Sequence, residues 1–173
     1  MSGLLLMGVL AVWLVIAFVC ATLVGALFKT KWLRIAVSIL LFAAMLPLPV
    51  ADELLAKPAF DKLCDEGTRL KFDPEKIRGK TMAFKEMSQP SISVGGLSGY
   101  TIPWRLVDAR TSDELISYNT FYLKGGVLIR TLGISDSNAP LTMSGYCGPS
   151  EHPSQANFRA RWNLQLIDSK DVK

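Results

Sequence analysis

Two uncharged runs open the chain, a short basic stitch separates them, and alternating patterns follow. The first run, Leu4 to Phe28, is 25 residues without a charge. At about 1.5 Å per residue it exceeds the roughly 20 residues that cross a bilayer core. It reads as a transmembrane helix. A secretory signal peptide fits poorly, because the run is too long and no basic stretch precedes it. The second run, Ile35 to Val50, reads "IAVSILLFAAMLPLPV". Its 16 residues are short for a span, and Trp32 and Leu33 extend it at the interface. Pro47 and Pro49 stop the helix near its far surface. The alternative for this segment is a signal peptide cleaved after Ala51, which a proline three residues before the cut disfavours. The expected spans are residues 4–28 and 33–50, joined by a loop at 29–34.

The stitch sets the orientation. Lys29, Lys31 and Arg34 are the only charged side chains in residues 1–51. Short loops rich in Lys and Arg stay in the cytoplasm. The next segment begins "ADELLAK", with its acids first. The expected topology is a hairpin with its tip in the cytoplasm. The N-terminus and a domain of residues 52–173 then lie outside, in the periplasm if the membrane is the inner membrane of a Gram-negative bacterium. Nothing ionisable lies within either run, so transport by these spans alone is poorly supported.

After residue 51 the period changes. "DELLAKPAFDKLCDE" places Phe60, Leu63 and Cys64 on one helical face, with Pro58 expected to break off a first turn and Gly67 to end the helix. Strands are expected at 68–72, 80–87, 100–109, 115–123 and 127–132. The second-last pair forms a hairpin around "RTSDE", and Gly125-Gly126 a tight turn before the last. "FRARWNLQL" at 158–166 alternates Phe158, Ala160, Trp162, Leu164 and Leu166 against Arg159, Arg161, Asn163 and Gln165, which reads as a strand with one wet face. Segments 88–100 and 135–157, rich in Gly, Ser, Pro and Asn, read as irregular, and the tail "DSKDVK" as frayed. The fold class is α+β: two N-terminal transmembrane helices, then a small domain with an antiparallel sheet and one packed helix.

Charge changes the picture little. Of 19 basic and 15 acidic residues, 16 and 15 remain once the stitch is set aside. That balance argues against nucleic-acid binding. Cysteine changes it more. Cys20 sits mid-span as a small packing residue. Cys64 and Cys147 lie in the outer domain, where an oxidising compartment lets them bond. The bond closes a loop of 83 residues, worth roughly 4 kcal/mol in the chain-entropy model.

Candidate chemistry is sparse. His152 is the only histidine. Ser150 and Ser154 are near it, outside any nucleophile elbow, so an exposed loop histidine is the plainer reading. "SVGGLSG" lacks the Lys-Ser/Thr of a phosphate loop and reads as a hairpin turn. Asp108, Asp113 and Glu114 suit a turn, and Asp61 and Asp65 a solvated helix face. Trp104 and Trp162 read as core. Arg159 and Arg161, projecting together from the last strand, are the candidate interaction surface. No catalytic residue, metal site or cofactor is assigned. The partners expected are the lipid bilayer and another membrane or periplasmic protein, or a second copy of the chain. The leading function is a non-enzymatic inner-membrane protein, an accessory subunit of an envelope complex. The alternatives are an immunity or phage-exclusion factor, and a tethered hydrolase or ligand sensor using the 135–157 loop.

Overall fold

A long helix α1 (Ser2–Ala26) and a shorter α2 (Lys31–Met45) pack antiparallel in the computed structural model, which describes residues 2–85, 87–133 and 139–167. The tail "DSKDVK" and part of the 135–157 loop therefore lie outside the described residues. Two polar side chains set the register in an apolar surround. Trp13 Nε1 donates to the Met45 carbonyl at 3.1 Å, and Ser38 Oγ to the Ala21 carbonyl at 3.0 Å. Gly25 permits close approach, because a Cβ there would run into Ser38 Oγ. Two helical stretches, Leu6–Ala26 and the one starting at Lys31, are long and apolar enough to cross a membrane. Lys29 lies in the connecting turn, and Lys31 and Arg34 in the first turn of α2.

A 3-10 turn at Leu48–Val50 leads into α3 (Ala51–Gly67). There follow β1 (Lys71–Phe72), α4 (Pro74–Ile77), β2 (Thr81–Lys85), β3 (Ser91–Val94), β4 (Leu97–Asp108), β5 (Glu114–Leu123), α5 (Val127–Leu132), β6 (Tyr146–Cys147), α6 (Ala156–Trp162) and β7 (Gln165–Ile167). The fold is α+β, with one seven-stranded sheet ordered β1-β5-β4-β2-β7, β3 pairing with β4 and β6 with β5. All pairings are antiparallel except β7, which runs parallel to β2. The sheet is thus mixed rather than purely antiparallel, and more than one helix packs on it.

Register separates two cores. Leu106 opposes Ile116 and Trp104 opposes Tyr118, so these side chains share one face. With Met82 and Phe158 they form the cluster beneath α4 and α6. Leu97, Phe121 and Leu123 point the other way and meet Ala56 and Phe60 of α3. At the β3–β4 turn both Gly95 and Gly96 have positive φ, as a two-residue hairpin turn requires. A Cβ on Gly95 would also meet the Cα of Ala56 at 2.5 Å, so the turn lies directly on α3.

Four expectations are corrected. Pro58 does not break α3, which runs unbroken through it. The proline is exposed, so its missing N–H falls on the solvent side. Segment 88–100 is not irregular: "SVGGLSG" turns as a hairpin, as its glycines suggest, and its flanks are the strands β3 and β4. "VLIRTL" is not a strand but helix α5, ended by Gly133 in the left-handed region with its N–H on the Ile129 carbonyl. "FRARWNLQL" is not one strand but α6, a left-handed Asn163 cap and then β7. Phe158 and Trp162 satisfy a period of two and the i, i+4 spacing of a helix equally, and the short window does not distinguish them.

Candidate functional site: a polar groove at the far end of the domain

The site is built where α3 ends. Cys64 lies thirteen residues along α3 from Ala51, about 20 Å by helix rise. Its Sγ stands 2.06 Å from that of Cys147, at disulfide distance. Cys147 sits on β6, opposite Phe121 of β5. The cystine therefore ties the end of α3 to the sheet edge and fixes the start of the loop that follows. Between them opens a groove of about 520 Å³ of mixed lining, in which the polar Asp65, Thr68, Arg69, Ser150 and Glu151 stand beside Leu70, Pro149 and the cystine. The Arg69 guanidinium is steered by its Nε bond to the Asp65 carbonyl at 2.9 Å, and Glu151 by a two-pronged pair with Arg161 at 3.0–3.3 Å. The groove offers one cation and two carboxylates on a fixed frame, which suits a polar peptide surface better than an apolar small molecule.

His152 stands beside this groove, and it is half-buried rather than freely exposed. Its Nε2 lies 2.8 Å from Tyr118 Oη and its Nδ1 2.7 Å from Ser154 Oγ. The ring packs edge-on against Tyr118 and Trp104, with centroids 5.3 and 6.5 Å apart. Trp104 Nε1 in turn donates to Thr120 Oγ1 at 3.0 Å. Burial pushes the imidazole below its usual value and the Tyr118 phenol well above its own. Both ring nitrogens are thus engaged by hydroxyls, with no carboxylate among the ring's hydrogen-bond partners in the described residues. The geometry orients a neutral imidazole. Ser154, two residues away, forms a local turn with it, its own N–H pointing at Nδ1 at 3.3 Å.

The other sequence candidates scatter. Asp108 is buried and accepts from Lys80 Nζ at 2.7 Å, which holds its carboxyl below the usual range. Asp113 is held by Thr111, and Glu114 faces Arg105 at 3.6 Å. Asp61 pairs with Lys57 on the helix surface, and Asp65 lines the groove. Arg159 and Arg161 do not project together from a sheet face. Two positions apart on a helix, they diverge. Arg161 is exposed and bridges to Glu151, whereas Arg159 is half-buried, its Nε without a partner among the described residues. Among the described residues no group of three or more His, Cys, Asp and Glu could hold a metal ion.

One constellation escaped the sequence. Glu53 is 1% exposed, and its carboxylate accepts from Gly126 N at 2.9 Å, Leu141 N at 2.9 Å, Thr142 N at 3.0 Å and Thr142 Oγ1 at 3.0 Å. Asp52 Oδ2 accepts from Val127 N at 2.7 Å. The first turn of α3 thus grips two segments more than 70 residues away. Two adjacent acids opening a helix are the only local signal, and they equally suit the helix dipole. No protein-family model, no curated protein and no solved structure matches this chain.

Proposed function

We propose that the chain is a membrane-anchored interaction protein. Its helical hairpin spans the inner membrane with Lys29, Lys31 and Arg34 at a cytoplasmic tip. Its α+β domain stands in the periplasm, where an oxidising environment supports the Cys64–Cys147 bond. The groove beside that cystine docks another protein, making the chain an accessory subunit of an envelope complex. The observation that carries this reading is the position and make-up of the groove: charged with both signs, braced by the cystine and set at the last turns of α3. Opposite charges on a rigid frame give specificity and steering rather than chemistry.

Photo-crosslinking in native membranes tests it. A crosslinking side chain at Thr68 or Ser150 is expected to yield one stoichiometric protein adduct, and Arg69→Glu to abolish it. Only lipid adducts, or no adduct at either position, overturn the proposal. The tethered-hydrolase reading has one observation in its favour, the His152–Ser154 contact. It requires that His152→Ala abolish function while the fold persists. The interaction reading expects binding within a few-fold of the parent.

A further inference from the structure

The register of the hairpin leaves part of α1 without a helical partner. Trp13 is level with Met45, the last residue of α2. The apolar stretch of α1 starts at Leu6, so about 10 Å of it, Leu6 to Val12, extends beyond α2. At 15 residues, α2 is about 22 Å long, against a hydrocarbon core of about 30 Å. A different wall faces α1 over the missing thickness. Leu48, Leu128 and Leu132 line an apolar groove of about 680 Å³ together with Val9, Leu10 and Val12 of that stretch.

We infer that α5 lies in the outer leaflet of the bilayer beside α1, and that a lipid acyl chain fills the groove between them. The inference rests on the anchoring reading above, and adds to it that part of the soluble-looking domain is immersed. Four observations converge on it. The groove is level with the apolar part of α1 rather than beyond it. Val127 and Leu132 of α5 are 62% and 37% exposed, and Leu48 is 54% exposed, an apolar rim beside the exposed Leu10 and Val12 of α1. Backbone donors at hydrocarbon depth must be satisfied within the protein, and the Gly126 and Val127 amides that open α5 are satisfied by Glu53 and Asp52. Thr131 Oγ1 likewise donates to the Val127 carbonyl at 2.7 Å. Finally, Lys124 precedes the helix and Arg130 lies in its last turn, both exposed. Their stems reach along apolar surface while their charges meet headgroup phosphates. The pattern is that of an interfacial helix: short, apolar on the lipid side and basic at its edge.

Site-directed nitroxide labelling of the full chain in phospholipid vesicles tests this. With Cys20→Ala as background, single labels are placed at Leu132→Cys, Leu40→Cys and Ser150→Cys. Collision with dissolved oxygen and with a water-soluble nickel chelate is then compared. The expected result is an oxygen-to-nickel ratio at position 132 several-fold above that at 150 and close to that at 40. A lipid-like label at 40 with a water-like label at 132 overturns the inference and leaves the anchor intact. Water-like labels at both positions overturn the anchor itself. A label at 132 shielded from both reagents means that protein, not lipid, fills the groove, and also overturns the inference.

Discussion

Replacing Glu53 with leucine is the most direct probe of how the start of α3 is held to α5 and to the Leu141–Thr142 loop. Leucine fills much of the same volume, so the loss is one of hydrogen bonds rather than packing. Four donors lose their acceptor: the amides of Gly126, Leu141 and Thr142, and the Thr142 hydroxyl. They are not equal. Gly126 is buried, Thr142 half-buried and Leu141 exposed enough to find water. An orphaned buried donor costs about 1–3 kcal/mol, and a bond to a charged acceptor is worth about 1.5–3 kcal/mol. Charging Gly126 in full and Thr142 in part gives a loss of about 3–5 kcal/mol. That is a large share of the roughly 5–15 kcal/mol of a whole domain. Two assays on the full chain in mild detergent read it. Urea unfolding followed by Trp104 and Trp162 emission gives the global loss. Hydrogen exchange over residues 124–132 and 139–147 locates it, and protection there is expected to fall about a hundredfold if opening becomes easier by about 3 kcal/mol. Lys57→Ala, which removes an exposed pair with Asp61, is the control and is expected to cost under about 0.5 kcal/mol. A loss below about 1 kcal/mol for Glu53→Leu, with exchange unchanged in both segments, refutes the claim that this carboxylate organises the junction.

Two further outcomes follow from the far end of the domain. Replacing Cys64 and Cys147 with serine opens a loop of 83 residues and is expected to cost about 4 kcal/mol, read as the shift in urea midpoint against the oxidised parent. An equal midpoint for the parent with and without reductant sinks that expectation. His152 sets a pH window. Burial lowers its folded value below the ordinary 6.5, so the unfolded chain takes up the proton first. Its contribution is whole above the unfolded value and is lost as pH falls from there through the lowered folded value. His152→Gln should flatten that part of the stability profile, and an unchanged slope between the two forms counts against the burial.

What the sequence made legible, and what it hid, divides by the range of the forces involved. The apolar runs of the hairpin and the β4–β5 pair were readable because length, alternation and a polar turn are local. So was the inward placement of Cys64 beside Phe60. The runs "VLIRTL" and "FRARWN" were misread because a six- or seven-residue window leaves the period undecided. What decides α5 is a pair of carboxylates some 75 residues earlier that receive its first amides. Gly133 and Asn163, each left-handed, mark the two helix ends, and a residue able to take that conformation after a short apolar run was the available clue. The glycines of "SVGGLSG" signalled the turn, but the Ser- and Gly-rich flanks did not read as the strands β3 and β4. The groove beside His152 draws on α3 and on the loop after β6, and no local pattern places those together.

The two ends of α3 now make a sharper claim than either alone. Its first turn is held by Asp52 and Glu53 to α5 and to the loop at Leu141–Thr142, and its last turn is held through Cys64 to β6. Between them Ala56 and Phe60 pack on the sheet, and the Pro58 gap faces solvent. A helix fixed in this way acts as a strut that holds the groove at a set distance from the α5 and Leu141–Thr142 segments gripped by its first turn. If so, its two ends fail independently. Glu53 and Cys64 are eleven residues apart on the helix, about 16 Å, and share no partner. The losses from Glu53→Leu and from removing the cystine should therefore add to within about 0.5 kcal/mol. Exchange should rise near Thr142 in one variant and near Cys147 in the other. A coupling above about 1 kcal/mol, or exchange spreading along α3 from either end, would mean that the helix transmits disorder instead of holding position. The groove would then be set by the Glu53 junction as well as by the cystine.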